Sequence, residues 1–209
     1  MVDGDLTHKV KTTNAVVGID LGIKDFVTTS GGEVFENLHF KKSQSNKIKR
    51  LQRQLSNKQK GSNNRNKARI KLAKAYKKID DKKQYYLHSI SNSLIDENQV
   101  ICMEDLNVEG MVKNHNLAES IYEMNFGEFR RMLEYKAKWY NRKIVFVDRF
   151  YPSSKTCHNC GYINNVLKLN DRQWVCPQCG EVIERDYNAA LNILDEGSRI
   201  IGSKVPPIR

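Results

Sequence analysis

Two short cysteine pairs constrain this chain more than any other feature. Cys157 and Cys160 form one C-x2-C pair, Cys176 and Cys179 a second, and fifteen residues separate them. A C-x2-C turn presents two sulfurs to one ion, and two such turns at this spacing predict a four-thiolate zinc site. Gly161 and Gly180 directly follow the second cysteine of each pair, where such a knuckle calls for a positive φ. All four positions are thiolates, so the predicted Zn2+ is structural: it holds a fold and leaves no open coordination site for chemistry. His158, inside the first pair, reads as a surface residue, and Trp174 and Tyr162 as the small core of the module. The fifth cysteine, Cys102, sits in an apolar run and reads as a buried small hydrophobe.

Structural disulfides are disfavoured by a cytosolic reading of the chain. No apolar run approaches the roughly 18 residues needed to cross a bilayer. Met1 to Asn14 is polar and lacks the apolar stretch of a signal peptide. The expectation is a cytoplasmic protein with no membrane partner. With 209 residues, of which 39% are hydrophobic, the chain can build one domain with an insert or two small ones.

The formal charge of +11 is not spread evenly. Lys41 to Lys83 contains 17 Lys/Arg and two acids, Asp80 and Asp81, while the remainder carries 18 bases and 22 acids. A basic segment has been attached to a mildly acidic body. Such a block is either a solvated helix face or a phosphate-binding surface, and its strong localisation favours the second.

Along the chain, Ala15–Asp20, Phe26–Thr29 and Glu33–Glu36 predict a three-stranded antiparallel meander, with Gly31-Gly32 as a hairpin turn. Ile48, Leu51 and Leu55 share one helical face. Gly61-Ser62-Asn63-Asn64 breaks the pattern, and Leu72, Tyr76, Ile79, Tyr86 and Ile90 form a second stripe. These predict a helical hairpin over 41–95 with its apolar edges meeting and its Lys/Arg facing out. Val100–Glu104 predicts a fourth strand and Val108–Ser120 a loop. Phe126–Tyr140 predicts an amphipathic helix through Phe129, Met132, Leu133, Lys136 and Trp139/Tyr140. Ile144–Val147 predicts a fifth strand and Asp186–Leu194 a final helix.

Asp20, Glu104 and Asp186 come from distant parts of the chain, yet each sits at the end of an element. If the first and fourth strands are neighbours, Asp20 and Glu104 meet, and a helix starting over them adds Asp186. Any one of these acids could be an ordinary strand-end or capping residue. Three converging would repel one another unless cations lay between them, and hard oxygen ligands favour Mg2+ or Mn2+.

GIDLGIKDF around Asp20, VICMEDLNVEGM around Glu104, and SSKTCHNCG, CPQCG and RDYNAALNIL through Asp186 together resemble the three nuclease motifs and zinc ribbon of the TnpB/OrfB family. These insertion-sequence-encoded proteins are related to compact type V CRISPR nucleases. The resemblance runs from about Val16 to Leu194. It implies an α/β, RNase H-like (RuvC) fold with a mixed sheet, an inserted basic helical hairpin and an inserted zinc ribbon. The divisions it implies are a polar tail over 1–14, a nuclease core over 15–150, the ribbon over 151–182, a last nuclease helix over 183–196 and a tail over 197–209. It implies divalent-metal hydrolysis of DNA, with Asp20, Glu104 and Asp186 as the catalytic triad holding Mg2+ or Mn2+. Ile183-Glu184 stands before Arg185-Asp186 where the family often has His-Asp, and the aspartate after the arginine is taken as the ligand.

Family members commonly carry an N-terminal half that grips guide RNA. Here the first nuclease strand begins about fifteen residues in, and the resemblance implies a guide RNA as a partner in the full-length context. Lys49, Arg50, Arg53, Arg65 and Arg69 on the hairpin, with Lys155 near the ribbon, are the expected nucleic-acid contacts. The alternative is a catalytically silent DNA- or RNA-binding accessory module that needs a missing N-terminal half or partner.

Overall fold

The structure, a computed structural model, describes residues 13–112, 121–122, 124–168 and 170–202. It divides into two compact units. One takes in the chain up to Glu36 and from Ser91 onward, and the other is Asn37–Ile90.

The first unit is built on a mixed sheet of five strands: β1 (Val16–Leu21), β2 (Asp25–Thr29), β3 (Val34–Glu36), β4 (Val100–Glu104) and β5 (Lys143–Val147), in the order β3-β2-β1-β4-β5. The first three form the antiparallel meander, and β4 and β5 run parallel to β1. Of the two turn glycines only Gly32 takes a positive φ, 85°. The first and fourth strands are neighbours, paired as Gly18 with Cys102 and Ile19 with Met103. One step further along this register Asp20 comes beside Glu104.

Strand periodicity puts Val16, Gly18, Asp20, Cys102, Glu104, Val145 and Val147 on one face. That face is covered by the last helix. In chain order the described helices are α1 (Phe40–Ser43), α2 (Ser45–Ser56), α3 (Asn63–Glu97), α4 (Val108–Val112), α5 (Phe126–Trp139) and α6 (Arg185–Ile201). Ile193 of α6 packs with Cys102, Val145 and Val147, and Ile201 packs against the same cluster. The helix comes so close to the sheet that side chains are excluded at two points. A Cβ on Gly18 would lie 2.2 Å from the Ala190 carbonyl oxygen, and one on Gly197 would lie 2.3 Å from Cys102 Sγ. Phe146 points the other way and lies under Arg130 of α5, whose guanidinium is 4.0 Å from the ring centroid. Phe26 completes that packing against Phe126 and Phe129.

Several boundaries differ from the sequence pattern. Val108–Val112 is a turn of helix rather than loop, because Asn107 Oδ1 accepts the Gly110 N–H at 3.0 Å. Residues 113–120 of that expected loop lie outside the described residues, as does most of the 1–14 tail. The last helix runs on to Ile201, where Gly202 ends it in the left-handed conformation, φ 70°. On α5 the buried stripe stops at Ala137. Trp139 is 74% exposed, edge-on to Tyr135, because it falls outside the arc set by Phe129, Met132, Leu133 and Lys136.

In the second unit α2 and α3 form the hairpin. Ile48 is buried, and Gln52 Nε2 on α2 donates to the Tyr76 hydroxyl on α3 at 2.9 Å. A two-stranded antiparallel ribbon, β6 (Gln173–Val175) with β7 (Val182–Glu184), lies in the cysteine segment. Among the described residues no helix is long and apolar enough to cross a membrane.

The seat of α6 is testable. Gly18→Ala puts a methyl into backbone of α6 and should lower unfolding free energy by about 1–3 kcal/mol, read by urea denaturation. Gly127→Ala, at an α5 position with nothing within 4 Å, should be neutral or stabilising by up to about 1 kcal/mol.

Candidate functional site

The cysteine segment is two copies of one local structure. In the first, the Gly161 N–H donates to the Cys157 carbonyl at 2.8 Å and the Cys157 N–H to the Tyr162 carbonyl at 2.8 Å. In the second, Gly180 donates to Cys176 at 2.9 Å and Cys176 to Glu181 at 2.8 Å. Both glycines take the positive φ these turns need, 77° and 75°.

The four ligand sulfurs all lie within 4.8 Å of one another, with Cys160–Cys176 at 3.5 Å and Cys157–Cys179 at 3.7 Å. These separations are too long for disulfides, whose bond is about 2.0 Å. They match the edges, about 3.8 Å, of a tetrahedron of thiolates held about 2.3 Å from a central ion. Burial works against the Cys176 thiolate, but the backbone N–H donors of Cys179 and Gln178, together with the thiols of Cys160 and Cys179, outweigh it and bring this thiol to about 7. Trp174 and Ile183 are buried with Cys157 and Cys176, and Tyr162 packs on them, so the aromatics form the module's core. His158 is exposed, and its Nδ1 lies 3.4 Å from Asp195. Cys102 is buried in the sheet, and desolvation pushes its thiol up to about 11.

The second cluster is acidic. β1 carries Asp20 and β4 carries Glu104 on the face covered by α6, and the first turn of α6 supplies Asp186. All three are half-buried. Asp20 registers their convergence. Burial first, then the charges of Glu104 and Asp186, push its carboxyl up to about 8, against the smaller opposing pull of Arg185 and Arg172. Burial also raises Glu104, partly offset by the hydroxyl of Ser153, which donates to Oε1. The neighbouring Asp105 points away and is held by Arg130 at 2.6 Å and Arg149 at 2.5 Å, which keep its carboxyl below the usual range. The strand-end pair of acids thus divides: Glu104 faces the cluster, and Asp105 is neutralised.

Asp186 is engaged by two guanidiniums. Arg185 Nη2 lies 2.8 Å from Oδ1 and Arg172 Nη1 3.1 Å from Oδ2. Among the described residues the thiols are the group whose ligand atoms gather to within 4.8 Å. The donors of the acid cluster are hard oxygens, suited to Mg2+ or Mn2+ rather than to a soft-ligand metal.

Arg172, Arg185 and Ser153 escape a reading of the sequence. The first two carry no motif signal beyond a basic residue beside Asp186, and Ser153 reaches Glu104 across 49 positions.

The expected nucleic-acid contacts separate into groups. Lys49, Arg50 and Arg53 are exposed and, with Asn46, Gln54 and Asn57, line one groove along α2. Arg65 also braces the hairpin turn, where its Nη1 donates to the Leu55 carbonyl at 3.0 Å and the Lys58 carbonyl at 3.1 Å. Arg69 is exposed and bonded to Asn66 Oδ1. Lys155 is exposed on the turn between Ser153 and Cys157.

Two family models match the chain. OrfB_IS605, described as "Probable transposase", matches residues 2–115, which hold Asp20, Glu104 and the hairpin. "Cas12f1-like, TNB domain" matches residues 126–193, which hold the four cysteines and Asp186. A Streptomyces pristinaespiralis protein named "Putative RNA-guided DNA endonuclease" is 45% identical over 193 residues, 92% of this chain and 48% of its own length. InsQ of Escherichia coli (strain K12), given the same name, is 30% identical over 214 residues, 95% of this chain and 53% of its own. The chain therefore spans about half the length of these curated relatives. A chain of the cryo-EM structure of a CRISPR-Cas12f ternary complex superposes with a TM-score of 0.65 at 22% identity, over 89% of this chain and 40% of that one. A chain of the Cas12f1-sgRNA-target DNA complex gives 0.62 at 20%, over 89% and 51%. These likenesses show a shared mixed α/β fold.

The acid cluster has a stability signature. An unfolded Asp titrates near 4 and folded Asp20 at about 8. The folded chain therefore holds the extra proton between these values, and this residue's contribution to stability falls as pH rises from about 4 to 8. Without added divalent cations, Asp20→Asn should be more stable than wild type at pH 8 by at least about 1 kcal/mol. The gain should vanish near pH 4, as read by thermal unfolding at both pH values.

Proposed function

The chain belongs to the OrfB_IS605 family of probable transposases, and from that membership and the site above we propose that it is the nuclease portion of a transposon-encoded, TnpB-like protein. The reading is of a divalent-metal-dependent DNA endonuclease on a RuvC-like, RNase H-type fold. The observation that supports it is the β1/β4 register, which sets Asp20 beside Glu104, together with Asp186 in the first turn of the helix seated on that face.

Asp20, Glu104 and Asp186 would hold Mg2+ or Mn2+. A pair of such ions supplies an activated water and stabilises the leaving oxygen of a phosphodiester. The protein's own groups do the positioning. The shared β1/β4 register sets two carboxylates side by side, and the seat of α6 sets the third. Arg172, whose side chain is 45% exposed at the rim, can turn from Asp186 to a phosphate oxygen as a charged donor. Attack by water needs no covalent enzyme intermediate, so no side chain here is assigned as nucleophile.

Zn2+ would fill the Cys157, Cys160, Cys176 and Cys179 tetrahedron and fold the ribbon. The groove of Lys49, Arg50 and Arg53 would meet phosphate backbone of DNA or of a guide RNA. Support for the RNA comes from relatives named for RNA guidance and from the charge of the hairpin.

The test is cleavage of labelled single-stranded DNA in Mg2+ or Mn2+ by zinc-loaded protein. Wild type should cut. Asp20→Ala and Asp186→Ala should each fall below about one-hundredth of its rate, since loss even of an outer-shell partner costs 10- to 100-fold, with folding and DNA binding nearly intact. A variant cutting at wild-type rate would show the triad assignment to be wrong. Intact binding with no cutting by wild type would mark a nucleic-acid-binding module instead.

Charge reversal at Lys49, Arg50 and Arg53 together should weaken DNA and RNA binding alike. It should reduce the slope of log affinity against log salt by about 2 to 3. A changed sequence preference, measured on a panel of oligonucleotides, would mean that the groove reads bases.

A further inference from the structure

Glu104 has a neighbour that the nuclease reading does not use. Ser153 is 4% exposed, and its hydroxyl donates to Glu104 Oε1. It opens a tight turn in which Pro152 O accepts from the Lys155 N–H at 3.1 Å, the Thr156 N–H at 3.0 Å and Thr156 Oγ1 at 2.8 Å. The turn runs directly into Cys157.

Two buried asparagines one turn apart on α6, each 4% exposed, grip this turn from the helix side. Asn192 Nδ2 donates to the Ser153 carbonyl and to the Thr156 carbonyl, both at 2.7 Å. Asn188 Nδ2 donates to the Thr156 carbonyl at 2.7 Å and reaches the Ser153 carbonyl at 3.4 Å. Asn188 Oδ1 accepts the His158 N–H, inside the first cysteine knuckle, at 3.0 Å. Burying two carboxamides is costly unless their polar atoms are satisfied, and here the amide donors are committed to one four-residue turn. The helix doing this is the one that brings Asp186 to the site.

We propose that Ser153 is a positioning residue for Glu104, and that Asn188 and Asn192 hold it in place. The hydroxyl occupies Oε1 and fixes the rotation of the carboxylate, leaving Oε2 to meet a cation. Because one helix presents Asp186 and clamps the turn that carries Ser153, it sets two of the three acids at once. The first cysteine knuckle anchors the far end of the same turn. This inference rests on the metal-dependent nuclease reading and adds to it a polar shell that tunes the affinity of the acid site.

The experiment is Mn2+ titration of zinc-loaded protein followed by electron paramagnetic resonance, with thermal unfolding measured in parallel. It uses wild type, Asp20→Ala, Ser153→Ala, Asn192→Ala and the Ser153→Ala/Asn192→Ala double variant. Ser153→Ala should weaken Mn2+ binding roughly 10-fold, with little change in melting temperature. Asn192→Ala should weaken it in the same direction. The double variant should bind no more weakly than Ser153→Ala, because both changes remove one contact. Wild-type affinity in Ser153→Ala would overturn the positioning role and leave the nuclease reading standing. A double variant weakened by the full product of the single effects would overturn the clamp. No Mn2+ binding by wild type, or full binding by Asp20→Ala, would sink the acid site itself and this inference with it.

Discussion

Everything in the sheet unit answers to one electrostatic problem: three carboxylates that repel one another must be held together in a partly buried place. Local propensity has no means of doing this, since the residues lie in different elements. The protein solves it with backbone. The parallel pairing of β1 with β4, in the register that matches Gly18 with Cys102, leaves Asp20 and Glu104 no option but adjacency. The helix carrying Asp186 is pressed onto that same face because Gly18 and Gly197 lack side chains where it crosses. Two glycines and one register thus impose a burial and, after it, a repulsion that together bring Asp20 to about 8.

The cysteine segment meets a different problem, the shortage of apolar surface in a small fold. Its core is Trp174, Ile183 and two of the cysteines, with Tyr162 and Leu167 alongside. The two knuckles supply what the core lacks, a rigid tetrahedron whose edges suit a thiolate-bound ion. The segment is also tied to the sheet unit by polar bonds from Asn188 and Asn192 to the Ser153–Thr156 turn. Hydrogen bonds fix direction in a way that apolar contact does not, which suits a turn that must aim one hydroxyl at one carboxylate oxygen.

The cysteines were legible because their information is local: spacing, and glycines placed for a positive φ, are read within a few residues. The acids were legible at one remove, since each ends an element and the elements themselves show in hydrophobic periodicity. What escaped was long-range. Ser153 meets Glu104 across 49 positions, and Arg172 meets Asp186 from a segment with no periodic pattern. Arg65, expected on nucleic acid, also closes its own hairpin turn, a bond the sequence does not signal. Charge counts how many cations a segment has and is silent on which are already bonded. Trp139 failed for geometric reasons, lying just off the buried arc of its helix.

The distribution of charge follows from the same electrostatics. A site built to collect cations between carboxylates would be poisoned by lysines close by, since any ammonium within a few Å would compete for the oxygens. The excess of base lies in Lys41–Lys83, inside the helical unit Asn37–Ile90. The acid cluster itself is met by two guanidiniums, Arg172 and Arg185. Arginine is the suitable cation there: its planar fork holds a carboxylate by directional bonds and can exchange it for a phosphate of similar geometry. Lysine, a compact and strongly hydrated charge, makes up thirteen of the seventeen cations of Lys41–Lys83, although the groove on α2 is lined by Lys49, Arg50 and Arg53. The guanidiniums at the acids are thus fixed by directional bonds to Asp186, while the cations of the α2 groove, one lysine and two arginines, stand exposed.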